Sequence, residues 1–394
     1  MKCRIDGSYC NVFLDFGKMP IANGFCNKKN FKNEFFFKLK AAFNKKLSLF
    51  QIVDYPNPKK MFNKNYPFFT SSSNYMINHF KELSEFIKKK YFSKKSIILE
   101  IGSNDGTFLK NFNKKNAYGF EPSKSVHLKA KKQGLKSINK FFNLKNILSL
   151  KNLFKKVDVI VGANVFCHIP DQPNLIKSID KLLNKNGTII FEEPYLGAMY
   201  KKTSYDQIYD EHIYMFSLSS ILKIYNLFGF ELIDAIPQVT HGGSMRYILK
   251  RKGIAKKSQR LLKLLKLEKI KKIDKFSACL LFKNKVIRSK YKLKKKIIEI
   301  KKKGFKICGY GATSKSTTIL NFCKINKKMV DCIFDTTKEK IGKFTPGTHI
   351  PILDYNQFKN SNYKYVFLFA WNHKKEIMRK EKQKKYIKWF THLS

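Results

Sequence analysis

A short apolar run that passes straight into a double-glycine turn constrains this chain more than any other feature. In Ile98-Leu-Glu-Ile-Gly-Ser-Asn-Asp-Gly106 the run carries an acid, Glu100, and Gly102 and Gly106 then bracket a tight turn. A helix is predicted to begin near Thr107. Glycines let the backbone approach a ligand closely, and a helix start offers free N–H groups. The order is not G-x-G-x-x-G, so the dinucleotide fingerprint does not apply.

The surrounding pattern sets the fold class. From Ser96 to about Lys250, short apolar runs alternate with helical patterns. Ser96–Glu100, Ala117–Glu121, Val157–Val161 and Thr188–Glu192 read as buried parallel strands. Such alternation predicts an α/β fold with a doubly wound sheet. Residues 1–66 are irregular and proline-punctuated, and read as a small N-terminal domain. A helix is predicted over Asn74–Lys90, with Met76, Phe80, Leu83, Phe86 and Ile87 on one face. Residues 67–253 form the main α/β domain, and residues 254–303, rich in Lys and Leu/Ile, form a helical connector whose apolar stripe must be buried. Residues 304–394 open a second, Rossmann-like α/β unit with Phe305-Lys-Ile-Cys-Gly-Tyr-Gly-Ala312. Its Gly309–Ser316 segment fails the phosphate-loop pattern, because Ser314 stands where glycine must precede Lys315.

Two more elements follow the glycine turn in order. Glu121 ends the next strand, where an acid can hold a ribose diol, with Pro122 after it. Val161-Gly-Ala-Asn-Val-Phe-Cys-His168 follows another strand and brings Asn164 and His168 to the same edge. The E-x-G-x-x-x-G turn resembles motif I of class I methyltransferases. That resemblance implies S-adenosylmethionine (SAM) lying over Glu100, Gly102, Asn104, Asp105 and Gly106, with Glu121, Pro122 and Asn164 completing its site.

The formal charge of +52 invites a nucleic-acid reading. Only six of the positive residues are arginine, whose rigid fork base-edge recognition favours, and the lysines are spread over every segment. Solvated surface is the simpler account, so no nucleic-acid partner is expected. No apolar run is long enough to span a bilayer, no signal peptide is recognisable, and eight cysteines lack framework spacing. These features predict a cytoplasmic protein with free thiols and no membrane partner. Oligomeric state is not legible.

Two polar segments carry further chemistry. Tyr205-Asp-Gln-Ile-Tyr-Asp-Glu-His212 places Tyr209, Glu211 and His212 within four positions, and His241-Gly-Gly-Ser-Met-Arg246 puts small residues beside a histidine and an arginine. Methylation at carbon needs a carbon nucleophile, which a base generates by removing a proton alpha to a ketone. Histidine suits that task near neutral pH. An adjacent carboxylate can fix its tautomer, and a tyrosine can steady the enolate oxygen.

Taken together, the chain resembles the sugar C-methyltransferases that act on dTDP-linked 4-keto deoxysugars. The likeness runs through Cys3–Gly7, Glu100–Gly106, Glu192-Glu-Pro-Tyr195, Tyr209–His212, His241–Arg246, Gly309–Ala312, Pro346-Gly-Thr-His-Ile-Pro351 and Ala370-Trp-Asn372. It implies His212 as the base, with Glu211 and Tyr209 in support and Tyr66 as a further active-site tyrosine. It implies a nucleotide-sugar substrate contacting His168, Tyr195, His241, Gly242, Ser244, Arg246 and Lys315. The family's two C-x-x-C pairs for structural zinc fall here at Cys3-Arg-Ile-Asp6 and Asn44-Lys-Lys-Leu47. Cys3 is the only retained ligand, and Cys10 and Cys26 fit no finger spacing, so loss of the zinc is expected. An O- or N-methyltransferase acting on a sugar or small metabolite shares the SAM loop and stands as the alternative reading.

Overall fold

The computed structural model describes residues 1–62, 68–150 and 156–393. Tyr66 lies outside the described residues.

The chain opens with three antiparallel strands, β1 (Cys10–Pro20), β2 (Phe36–Asn44) and β3 (Leu49–Ile52). Two helices follow, α1 (Pro58–Met61) and α2 (Asn74–Tyr91). Ser73 caps α2 by accepting the Met76 N–H, and Met76, Phe80, Leu83 and Ile87 are buried at helical spacing.

The central region runs β4 (Ile98–Ile101), β5 (Ala117–Phe120), α3 (Lys124–Lys132), β6 (Lys136–Ile138), α4 (Leu144–Leu148), β7 (Val157–Ala163), α5 (Gln172–Leu182), β8 (Leu183–Pro194), α6 (Leu196–Lys202), β9 (Tyr214–Met215), α7 (Leu218–Asn226), β10 (Phe230–Gln238) and β11 (Ser244–Arg251). Seven of these strands form one sheet in the order β10-β11-β8-β7-β4-β5-β6. Only β11 is reversed against its neighbours, and all four residues of β4 are buried at the centre. The sheet is doubly wound, with its switch point between β4 and β7, where a ligand crevice forms at the carboxyl ends of the strands.

Strand β9 leaves this sheet. It pairs with β3, so the N-terminal sheet reads β1-β2-β3-β9, and Ile52 N–H donates to the Ile213 carbonyl at 2.9 Å. The residues just before β9, including His212, are therefore held by backbone pairing to the first sixty residues.

The helices α8 (Gln259–Ile270) and α9 (Phe276–Lys302) follow. Helix α9 buries Phe282, Val286, Leu293, Ile297 and Ile300, whereas α8 leaves Leu262 and Leu267 exposed and buries Glu268. The last unit comprises β12 (Ile307–Tyr310), α10 (Ser314–Phe322), β13 (Cys332–Asp335), β14 (Ile352–Asp354), α11 (Tyr355–Lys359), β15 (Tyr365–Leu368), α12 (Lys374–Lys380) and β16 (Lys388–Phe390). Its five strands are all parallel, in the order β14-β13-β12-β15-β16, with a second switch point between β12 and β15. No helix among the described residues is long and apolar enough to cross a membrane.

The position that resemblance assigns to zinc is filled by hydrogen bonds. Asp6 accepts from Ser8, and Asn44 Nδ2 donates to Ser8 Oγ at 2.7 Å while its Oδ1 accepts the Leu47 N–H at 2.7 Å. One thiol, a carboxylate, an amide and a leucine do not fit a site that requires four soft ligands.

Candidate active site

The two switch points face one cavity of about 1020 Å³. Its floor comes from the loops after β4, β5 and β7, its roof from those after β12, β13 and β15.

On the floor, Gly102 has φ 69°, and a Cβ there would stand 2.7 Å from Val165 Cγ2. The turn is fixed by Gly102 and Ser103 N–H groups donating to the Phe120 carbonyl. Glu121 is tied to it from the next strand, accepting the Asn104 N–H at 2.9 Å and the Ser123 N–H at 2.7 Å. Burial raises the Glu121 carboxyl despite those bonds. Glu100 is buried, and its Oε2, like Asn164 Oδ1, His168 Nε2 and His241 Nε2, has no hydrogen-bond partner among the described residues. Burial pushes its carboxyl well above the usual carboxylate range, and the charges of Asp105 and Glu121 add to the shift. Asn164, at φ 56°, likewise presents an unpartnered Oδ1. Two orphaned acceptors, a close-approach glycine and a strand-end acid are an acceptor set suited to SAM's amino and ribose hydroxyl groups. Pro122 completes this wall.

Asp105 and Gly106 sit behind the wall and do not line the cavity. Burial raises the Asp105 carboxyl, but hydrogen bonds from Ser71 and Thr107 and the Lys129 charge bring it below its ordinary value. Gly106 has φ 79°, and a Cβ there would strike Leu135 at 2.2 Å.

Beyond the floor stands the histidine cluster. His212 Nδ1 is 2.7 Å from the Gln207 carbonyl, and its Nε2 is 3.0 Å from the Tyr209 hydroxyl. A carbonyl only accepts, so Nδ1 carries the proton and Nε2 keeps the lone pair that Tyr209 donates to. Burial holds the ring neutral by lowering its pKa well below the ordinary value, with His168 next in effect. The tautomer-fixing part expected of Glu211 thus belongs to a backbone carbonyl. Glu211 Oε1 instead accepts from Asn23 Nδ2 at 2.7 Å, linking this loop to the N-terminal region. The His168 ring lies 5.3 Å from that of His212 with Nε2 unpartnered. Burial lowers His168 to about 3.

The loop between β10 and β11 adds His241, and the roof adds Lys315. His241 (φ 52°) has an unpartnered Nε2, and burial followed by the Lys315 charge lowers it to about 3. Lys315, near the start of α10, is 7% exposed, and its ammonium has no hydrogen-bond partner among the described residues. It lies 5.3 Å from the Trp371 ring centroid. Trp371 is held by Asp206, which accepts its indole N–H at 2.6 Å. Burial lowers the Lys315 pKa, opposed by Asp206.

Four residues expected to touch substrate do not line this cavity. Tyr195 donates its hydroxyl to the buried Glu268 at 2.8 Å. Gly242 packs under Trp371, which a Cβ would meet at 2.1 Å. Ser244 donates to the Thr240 carbonyl. Arg246 is locked against Glu192 at 2.7 Å, whose other oxygen is 2.5 Å from His79 Nε2. Their motifs are polar because they build hydrogen-bonded supports, not because they face ligand. Conversely, Asn23, Tyr310, Asp335, Lys340 and His373 line the cavity and were not singled out as site residues from the sequence. Asp335 does end a strand, the same cue that singled out Glu121.

Sheet order, a single reversed strand and the glycine turn at the switch point define a class I SAM-dependent methyltransferase. A methyltransferase-domain family matches residues 73–235, and the C-methyltransferase C-terminal domain matches residues 239–393. The C-methyltransferase NovU of Streptomyces niveus is 25% identical over 390 residues, covering 97% of this chain and 92% of that protein. The chain is thus similar to the SAM-dependent C-methyltransferases over nearly its whole length. A tRNA (guanine-N(7)-)-methyltransferase of Mycoplasma genitalium is 35% identical over 123 residues, 26% of this chain and 57% of that protein. Among solved structures, magnesium protoporphyrin IX methyltransferase of Synechocystis PCC 6803 with bound SAM is similar over 45% of this chain and 79% of its own, at 13% identity and TM-score 0.34.

Proposed function

We propose that this enzyme methylates a carbon of a nucleotide-linked, dTDP-type 4-keto deoxysugar, with His212 as the base that forms the enolate. The observation that carries this reading is the His212 tautomer. The Gln207 carbonyl holds the proton on Nδ1, burial keeps the ring neutral, Nε2 keeps a lone pair that accepts the Tyr209 O–H, and both residues line the cavity. Transfer to oxygen or nitrogen needs no carbon acid, so it gives no exchange of an alpha proton.

Glu100, Gly102, Asn104, Glu121, Pro122 and Asn164 would hold SAM at the floor, on a turn stiffened by Asp105 and Gly106, and the bound cofactor would supply an electrophilic sulfonium methyl there. His212 Nε2 takes the proton alpha to the ketone, and the enolate's electron pair is then free to form the new carbon–carbon bond. Tyr209, whose hydroxyl leaves Nε2 when substrate arrives, turns its donor toward the enolate oxygen. Glu211 holds the loop through Asn23, and Tyr66, outside the described residues, stays a candidate by resemblance alone. His168, His241 and Lys315 bind the sugar nucleotide, the ammonium facing its diphosphate. Tyr195, Gly242, Ser244 and Arg246 position the walls. A volume of about 1020 Å³ spanning two switch points suits two ligands better than one.

Solvent deuterium wash-in tests the reading. With S-adenosylhomocysteine bound, a dTDP-4-keto sugar incubated in heavy water is expected to exchange its alpha proton with wild type and not with His212→Ala. Equal exchange in both, or methylation of a reduced, non-keto sugar nucleotide, overturns it.

A further inference from the structure

The Pro346-Gly-Thr-His-Ile-Pro351 segment takes no part in the cavity. Its His349 reaches across to the N-terminal region, where Cys26 follows β1 and Glu34 precedes β2. The Cys26 and Phe344 backbones exchange hydrogen bonds, bringing the two loops side by side. His349 Nε2 hydrogen-bonds to Glu34 Oε2, while Glu34 Oε1 accepts the Gly347 N–H at 3.0 Å. Phe31 stacks on the imidazole at 3.7 Å between ring centroids, with 4° between the planes. The carboxylate and the ring are thus both oriented before any ligand arrives.

We infer that Cys26, Glu34 and His349 form a binding site for a zinc-like divalent transition metal, clasping the N-terminal loop to the C-terminal unit. One ligand atom from each of the three lies within 4.8 Å of the others. A tetrahedral zinc with bonds of about 2.0–2.3 Å separates its ligand atoms by roughly 3.3–3.8 Å, so small side-chain rotations close the site. The ion takes the place of the proton shared by Glu34 and His349, and water fills the fourth position. A thiolate, an imidazole and a carboxylate suit zinc or cobalt and not magnesium or calcium. Lys343 adds a positive charge nearby that partly opposes the cation. Cys26 is also the one cysteine of the eight that is not fully buried, which leaves an entry path.

The test uses full-length protein stripped with chelator and titrated with Co²⁺ alone. One equivalent is expected to give thiolate-to-cobalt charge-transfer absorption. Cys26→Ser should abolish that band, and His349→Asn should weaken binding by at least about tenfold. Zn²⁺ should raise the thermal midpoint of wild type and not of Cys26→Ser. Cys26→Ser should keep SAM-dependent methyl transfer. If Cys26→Ser does not fold, Glu34→Gln, which keeps an acceptor for the Gly347 N–H, decides by the same tenfold criterion. The proposal fails if wild type shows no thiolate band. It also fails if the band survives Cys26→Ser, or if Cys167→Ser removes it, because Cys167, His168 and His212 form a second cluster of metal-ligand type.

Discussion

The Tyr209 hydroxyl stands 3.0 Å from His212 Nε2, and donor and acceptor are set by a third group, the Gln207 carbonyl on Nδ1. Removing the phenolic O–H leaves the histidine tautomer intact but takes away the donor assigned to the enolate oxygen. Tyr209→Phe is therefore expected to slow alpha-proton exchange and methyl transfer by about 10²-fold, with SAM affinity unchanged. Single-turnover rates beside calorimetric SAM binding check this; a rate within a factor of two of wild type removes Tyr209 from the chemistry.

Gly102 holds φ 69° with Val165 pressed against its missing side chain. Gly102→Ala meets both a left-handed backbone, unfavourable by roughly 1–2 kcal/mol, and a contact that must shift. Binding of S-adenosylhomocysteine should weaken by at least about tenfold. Calorimetry reads the outcome, and unchanged affinity would detach the turn from the cofactor.

Arg246 belongs to a buried triad with Glu192 and His79. Arg246→Met strips one partner from a buried carboxylate, and loss of one member of such a pair costs about 3–5 kcal/mol. Denaturant unfolding should show that loss, while KM for the sugar nucleotide in the folded fraction stays near wild type. A raised KM without destabilisation would return Arg246 to the substrate.

Lys315 carries a buried ammonium with no hydrogen-bond partner among the described residues. Lys315→Met should raise KM for the sugar nucleotide by at least about tenfold while leaving stability equal or higher, since an uncompensated buried charge is removed. Steady-state kinetics and a thermal melt settle both halves. Lower stability with unchanged KM would make the lysine structural.

His168 and His241 are each lowered to about 3 in the folded protein, against about 6.5 when exposed. Between these values the unfolded chain binds more protons than the folded one, so stability rises with pH across that window. Acidifying from pH 7 toward pH 4 should lower the thermal midpoint progressively. His168→Gln and His241→Asn should each flatten the slope; a slope unaltered in both would assign the acid sensitivity elsewhere.

Local chemistry made much of the central sheet readable. Ile98–Ile101 is a buried strand because its apolar run leaves no polar face, and the glycines after it mark the turn because only they tolerate both the positive φ and the contact. The Tyr209–His212 cluster was readable as chemistry because those side chains converge within four positions. Tyr195, Ser244 and Arg246 misled for the converse reason: their partners, Glu268, Thr240 and Glu192, are supplied by tertiary packing, so polarity in the motif did not reveal which way each side chain turns. Glu268 itself reads as a surface residue in a lysine-rich helix. It is buried because it accepts the Leu218 and Ser219 N–H groups and the Tyr195 hydroxyl.

By itself, then, the order of residues determined the α/β class and the glycine turn after β4, since both follow from short-range periodicity and backbone sterics. Only the tertiary structure decided that two switch points share one cavity, that a backbone carbonyl sets the His212 tautomer, and that β9 ties His212 to the N-terminal sheet. Those relations join residues far apart in the chain. Distance in sequence carries no information about them until burial of the apolar faces brings the elements together.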